Sequence, residues 1–253
     1  MNVKNLAVVH LQYDHSKYPD SFPYIVGQLN KLPCEKKYFI IDNKRIKKKN
    51  EIFDNVYMLP GDNSNWEFSG WQKGLDYIRK NIDCDLILFT NDSLNSHYNH
   101  RMLESKRLEY FFEDIFLNKR FCGKIDKQIS GEGRLKSMSF MGYNVDSWIC
   151  SNCFAAPKCI LNNFDIDYSH TYNIEEICQS LECFMNHPLL NKNLKDHIYD
   201  WLSYHWHNKF DIKSNLKLFK HKTKAILNEK LLTAKIREKE ITILNSFDEI
   251  IYK

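Results

Sequence analysis

The chain is predicted to be an α/β protein with a mainly parallel central sheet covered by helices on both faces. Two observations predict it. Its strand-like runs are continuous rather than alternating, as strands buried on both sides require, and a helical pattern separates the third run from the fourth, as crossover connections between parallel strands do.

The first run is LAVVHL, residues 6–11, and the second is KYFIID, residues 37–42. NVYMLPG, residues 55–61, is a third, stopped by Pro60-Gly61. Residues 67–80 then place Phe68, Trp71, Leu75 and Ile78 on one helical face, with Asn63 or Ser64 in position to cap the approach. The fourth run opens DLILFTNDSL, residues 85–94, where Leu86 to Phe89 gives way to Thr90-Asn91-Asp92-Ser93. In parallel sheets ligands bind outside the carboxyl ends of the strands. Asp42-Asn43, Gly61-Asp62-Asn63 and Asn91-Asp92-Ser93 all stand at such ends, so they are expected to converge on a polar ligand.

At 253 residues and 30.3 kDa, with 43% hydrophobic and 14% aromatic residues, the chain can bury a sizeable core. It divides into an α/β half over 1–162, a helical insertion over 163–217 and a closing helix and strand over 218–253. The opening residues carry no signal-peptide core, and no apolar run approaches the length of a bilayer, so a cytoplasmic location is expected. The eight cysteines then read as reduced thiols. A net charge of +4 is too small to indicate nucleic acid as a partner. The basic runs over 43–51 and 209–239 read as solvated faces, or as weak attraction to an anionic surface such as the cytoplasmic leaflet.

Neither common phosphate cradle is present. No Gly-x-Gly-x-x-Gly follows the first strand and no Gly-x-x-x-x-Gly-Lys occurs anywhere. A bound diphosphate would then need a divalent cation, Mn2+ or Mg2+, with Asp92 as its ligand.

The succession of strands, Asp42 after the second, Asn63 followed by Gln72-x-Gly74, and the acidic end Asn91-Asp92-Ser93 resembles the nucleotide-sugar half of a Rossmann-like GT-A glycosyltransferase. It is most similar to the family 2-like and rhamnan-synthesis-like transferases of bacterial surface polysaccharide, lipopolysaccharide or capsule assembly. The resemblance implies a nucleotide-sugar donor held by Asp42, Asn63, Gln72, Asn91 and Asp92, with Asp42 facing the nucleoside. It implies a metal on Asp92, although Thr90-Asn91-Asp92 stands where the family has Asp-x-Asp. ILNEKLLTAKIREKEITI, residues 226–243, resembles the family's acidic pair, helix and closing strand, here over 241–243. In that register Glu229 is the catalytic base of an inverting transfer and lies at a helix start; Asp146, Glu175 and Glu176 are reserves. GYNVDSWICSNCFAAPKCIL, residues 142–161, matches the segment that shapes the sugar and acceptor pocket, through Trp148, Ser151, Asn152 and Phe154.

Cys150, Cys153 and Cys159 read as structural thiols rather than zinc ligands, because no second close pair with finger spacing follows. Helices are expected over 174–185 and 194–206 as an acceptor-side subdomain, with Trp201, Leu202 and Trp206 in the core and His205 and His207 at the surface or on the acceptor. The acceptor implied by the resemblance is a saccharide or a lipid-diphosphate-linked saccharide, with peripheral membrane contact. Two other functions fit the fold. One is a catalytically silent binding protein; the other, a sugar-1-phosphate nucleotidyltransferase, is opposed by the lack of glycine in QYDHSKYPDSFPY, residues 12–24.

Overall fold

The computed structural model describes residues 1–44, 50–94, 103, 105–127, 137–206 and 210–246. The α/β class read from the sequence is the class observed. The first half comprises β1 (Asn5–Gln12), α1 (Ser21–Leu29), β2 (Glu35–Asp42), β3 (Asn50–Phe53), β4 (Val56–Pro60), α2 (Trp66–Asn81), β5 (Leu86–Asn91) and α3 (Ser105–Asn118). β6 (Phe121–Lys127), β7 (Ser139–Phe140), β8 (Tyr143–Asn144) and β9 (Ser147–Pro157) follow, then the short helices α4 (Lys158–Leu161), α5 (Ile174–Ile177) and α6 (Leu181–Asn186). α7 (Lys192–Asp200) runs into a π-helical turn over Trp201–His205, and α8 (Leu216–Glu238) and β10 (Ile243–Asn245) close the chain.

One eight-stranded sheet carries the order β10-β6-β9-β5-β1-β2-β4-β3. β1 pairs in parallel with β2 and β5, as do β2 with β4 and β6 with β10. β9 runs antiparallel between β5 and β6, and β3 lies antiparallel on the β4 edge. Because side chains alternate along a strand, each face of the sheet takes its own set. Val9, Leu11, Phe39 and Ile41 pack under α2 and α8, while Leu6, Val8 and Tyr38 pack under α1 and α3. Residues of the 163–217 range, Phe164, Ile174, Leu194 and Leu202 among them, join the first of these cores.

Register brings the strand ends level. Leu11 is opposite Asn91, Gln12 opposite Asp42, and Asp42 opposite Pro60. β9 pairs with β5 from Thr90–Cys153 onward, so its first residues project past the carboxyl end of β5. The expected convergence of polar strand ends is therefore what the sheet builds, and β9 adds Trp148 to Asn152 to the same edge.

α2 rests on the sheet at unusually short range. A Cβ at Gly70 would lie 2.3 Å from Leu11 Cδ1, and one at Gly74 would lie 2.5 Å from Val9 Cγ1. A side chain at either position would force Leu11 or Val9 to shift.

Several boundaries differ from those read in the sequence. The N-cap of α2 is Asn65, which donates to Asp167 Oδ1 at 2.7 Å, rather than Asn63 or Ser64. The helix expected over 174–185 is two, since Ser180 starts a new one by accepting from the Cys183 amide. The closing strand is 243–245 rather than 241–243. Glu229 lies in the middle of the 23-residue α8, not at a helix start; α8 begins at a side-chain cap from Asn215, which the motif register did not weigh.

Candidate active site

Two cavities open along the carboxyl edge of the sheet. The larger, about 390 Å³, sits over the ends of β1, β2 and β5 and is walled by Tyr13, Asn43, Asn63, Trp66 and Asp92. The second, about 250 Å³, lies between the start of β9 and α8, with Trp148, Ser151, Asn152, Glu229 and Lys230 on its walls. Glu67, Asn91, Ser93, Trp206 and Lys222 line both, so the cavities form one cleft with a shared waist.

The strand-end cavity is shaped by aromatic rings and amides. Trp66 adopts a left-handed φ of 54°, a strained value for a bulky residue. Its indole stacks on Tyr13 at 5.8 Å and 21°. Asn43 Nδ2 donates to Asn63 Oδ1 at 3.3 Å, and Ser93 Oγ donates to Asn91 Oδ1 at 3.1 Å. Asp42, buried at the end of β2, accepts from the Lys44 amide at 2.9 Å and tightens the loop that presents Asn43.

Asp92 is bound otherwise than expected. Its Oδ2 accepts from the backbone N–H groups of Tyr13 at 2.7 Å and Asp14 at 2.6 Å, so the carboxylate fastens the loop after β1. Burial raises its pKa and these two hydrogen bonds lower it, the former prevailing. The neighbouring Asp14 is also occupied, with Oδ1 accepting from Ser16 and Lys17 and Oδ2 paired with Lys44 at 3.0 Å. Among the described residues no group of three His, Cys, Asp or Glu side chains is placed to hold a metal ion. A divalent cation wants about six oxygen ligands; of the four carboxylate oxygens of Asp92 and Asp14 three are engaged by backbone, Ser16 or Lys44, which leaves Asp92 Oδ1 as a sparse protein donor set for one.

The inner cavity holds the titratable pair. The Glu229 carboxylate accepts from the Ser151 backbone N–H at 2.5 Å. Burial pushes its pKa well above the carboxylate range, against the opposing pull of the adjacent Lys230 and the Ser151 hydrogen bond. Lys230 is fully buried, has no hydrogen-bond partner among the described residues and lies 3.2 Å over the Trp148 ring. Burial lowers its pKa and Glu229 opposes that. Asn152 is 6% exposed, and among the described residues neither its Oδ1 nor its Nδ2 meets a partner. An unpaired buried amide costs roughly 1–3 kcal/mol, which a ligand hydroxyl on the cavity side would recover.

The other expected site residues fall elsewhere. Gln72 accepts from the Ile166 and Asp167 amides at 2.7 and 3.2 Å and donates to Asp76, so its polar atoms secure the 164–168 loop rather than face the cleft. Phe154 is fully buried and stacks on Phe89 at 4.8 Å, which makes it core rather than pocket wall. Asp146 accepts from the Met138 amide in the β8–β9 turn. Glu175, with burial against it, is held at about 2 by hydrogen bonds from Lys220 and Lys224, too acidic for a base. Glu176 is exposed on α5 and lines neither cavity.

Sequence reasoning missed Glu67, Asp126, Lys222, Lys230 and His197, all on the walls of the inner cavity. It also assigned Trp201 and Trp206 to the core alone, whereas they stack at 6.0 Å and line the inner cavity. His205 is exposed and His207 lies outside the described residues. Cys150 lines the cavity and donates to Asp126 Oδ2 at 2.9 Å; Cys153 is buried on the other face, and Cys159 is exposed.

The basic segments look different in three dimensions. Residues 45–49 and Lys209 lie outside the described residues. On α8, Lys220 and Lys224 pair with Glu175, Lys235 with Glu238, and Arg237 and Lys239 bond Ser147 and the Asn163 carbonyl. Lys222 and Lys230 enter the cleft. Part of the α8 charge is thus used within the fold, while Lys213 and Lys217 are exposed. Among the described residues no helix is long and apolar enough to cross a membrane.

No protein-family model matches the chain, and no curated protein matches it. Solved structures do. The galactosyltransferase LgtC, in complex with donor and acceptor sugar analogues, aligns at 11% identity and a TM-score of 0.40, covering 66% of this chain and 65% of that one. S. aureus TarS 1–349 aligns at 11% identity and 0.41 over 93% and 92% of the two chains. An active-site mutant of LgtC aligns at 12% identity and 0.39, over 66% and 64%. This chain thus spans just under two thirds of LgtC. Similarity of this degree carries no argument about chemistry, which rests on the cleft.

Proposed function

We propose that the chain is a glycosyltransferase that moves a hexosyl or deoxyhexosyl group from a nucleotide-diphosphate sugar to a saccharide acceptor, free or lipid-diphosphate-linked, in surface-polysaccharide assembly. The observation that carries the reading is Glu229, a carboxylate made basic by burial, in a cavity of tryptophans and amides that joins a second cavity over the parallel strand ends. Aromatic faces and amides suit a sugar ring, and the strand-end cavity suits a nucleoside, with Tyr13 and Trp66 as stacking surfaces and Asn43, Asn63 and Asn91 as hydrogen-bonding groups.

The chemistry follows from that division. The acceptor hydroxyl enters beside Trp148 and loses its proton to Glu229 as its oxygen bonds to the anomeric carbon. The bond from that carbon to the diphosphate oxygen breaks and its electron pair leaves with the diphosphate. Attack and departure on opposite faces invert the anomer. Glu229 is well suited to this because a general base works best with a pKa near the operating pH.

The test is release of nucleoside diphosphate from a panel of sugar nucleotides, with the product anomer read by NMR. Turnover with an inverted product is expected. Tight binding of a sugar nucleotide without release would establish the silent binding protein instead. A retained anomer would remove Glu229 as the base.

A further inference from the structure

We propose that the charge of the leaving diphosphate is neutralised by the ammonium of Lys222 and not by a carboxylate-held divalent cation. The inference rests on the glycosyltransferase reading and names how that site handles its donor.

Lys222 stands where a diphosphate would have to lie. A donor with its nucleoside over the strand ends and its sugar beside Trp148 must pass its phosphates through the waist, and Lys222 lines both cavities there together with Asn91 and Ser93. Among the described residues the ammonium meets no hydrogen-bond or ion-pair partner. It lies over two rings instead, 4.1 Å from the centre of Trp66 and 4.9 Å from that of Trp206. Three other lysines of the same helix are paired: Lys220 and Lys224 with Glu175, Lys235 with Glu238. Glu67 and Glu229 attract it through space without taking a hydrogen bond, so the ammonium retains donors for an incoming anion.

The alternative neutraliser is poorly provided for. Asp92 spends its Oδ2 on two backbone N–H groups, and Asp14 is held by Ser16, Lys17 and Lys44. A cation drawn there could reach Asp92 through Oδ1 alone, and could reach Asp14 only by displacing Ser16, Lys17 or Lys44. Burial depresses the pKa of Lys222, with Glu67 opposing; a diphosphate in the waist would act in the same sense as Glu67 and hold the ammonium charged.

In the transfer step the acceptor oxygen bonds to the anomeric carbon, its proton passes to Glu229, and the carbon–oxygen bond to the diphosphate breaks with the electron pair moving onto the phosphate oxygen. Lys222 keeps its three protons throughout and donates to that oxygen as its charge grows. Nothing is oxidised or reduced.

Titration calorimetry of the full chain with UDP, GDP, dTDP and ADP, each in excess chelator and in manganese, tests the proposal. At least one diphosphate should bind in chelator, with an affinity unchanged by manganese. Lys222→Met should weaken it by about tenfold to a hundredfold, with a melting temperature no lower than wild type, and Lys222→Arg should restore most of the loss. Binding that requires manganese, or that Lys222→Met leaves intact, overturns this inference and spares the transferase. If no diphosphate binds in either condition and no sugar nucleotide is turned over, the transferase reading falls, and this inference with it.

Discussion

Asp92 and Glu229 are the two acids that motif position singles out, and the structure treats them in opposite ways. Asp92 sits at a strand end and its oxygen is absorbed by the backbone of the next loop. Glu229 sits inside a helix, accepts one backbone N–H, and otherwise faces a cavity it shares with Lys230. Burial raises both and each lines a cavity, but Asp92 is tied by two backbone N–H groups and Glu229 by one. Identity and spacing chose both residues; their neighbours set them apart.

The sharpest way to break this contrast is Glu229→Gln. The amide keeps the shape but cannot take a proton, so transfer should fall by roughly two to four powers of ten while calorimetric donor affinity stays near wild type. In the wild type, transfer should rise with pH through the elevated pKa of Glu229, because only the carboxylate accepts the proton; that limb should vanish in the variant. A pH profile unchanged by the substitution would place the base elsewhere.

Asp92→Ala should act differently in kind. Two loop amides lose their acceptor, so unfolding free energy should drop by about 1–3 kcal/mol, and donor affinity should fall equally in chelator and in manganese. A defect seen only in manganese would restore Asp92 as a metal ligand.

Asn152→Ala sharpens the comparison from the acceptor side. Removing an amide that has no partner should leave the melting temperature unchanged or raise it, yet raise the KM for the acceptor or donor sugar by about tenfold. A lowered melting temperature with unchanged KM would make it structural.

The smallest effect on turnover belongs to a control on β1. His10 is buried against Phe22 with Nδ1 3.0 Å from Thr90 Oγ1, and burial, followed by His15, lowers its pKa from 6.5 to about 3. The unfolded chain takes up this proton below pH 6.5 while the folded chain refuses it to about 3. Stability is therefore complete above that window and is lost as pH falls through it, by up to about 1.4 kcal/mol per pH unit. His10→Gln should flatten this part of a melting-temperature profile without altering transfer.

The first half of the fold was legible because the information is local. Buried parallel strands are written as apolar runs, and polar residues that end them, Asn43, Asn63, Asn91, Asp92 and Ser93, line the strand-end cavity. Trp148, Ser151 and Asn152 were reachable by resemblance, since one strand carries them. Glu67 and Lys222 were not, because a single acid and a single base on two helices far apart in sequence give no pattern until the helices pack against one sheet. The same holds for errors: Gln72 matched a motif position, but nothing in its neighbourhood announces the 164–168 loop that takes up its amide. Phe154 failed through its position along the strand, since it pairs with Phe89 inside the sheet and is enclosed by Phe89 and Trp71.

The glycines under α2 have a consequence beyond packing. Trp66 and Glu67 lie one turn ahead of Gly70, so the height of that turn above β1 sets how far both reach into the cleft. A methyl group at position 70 would act as a shim against Leu11, so that the side chain or the start of the helix must give, and a shift of the helix would change the aperture between the two cavities. The gauge of the channel thus depends on two absent side chains, at positions that line neither cavity.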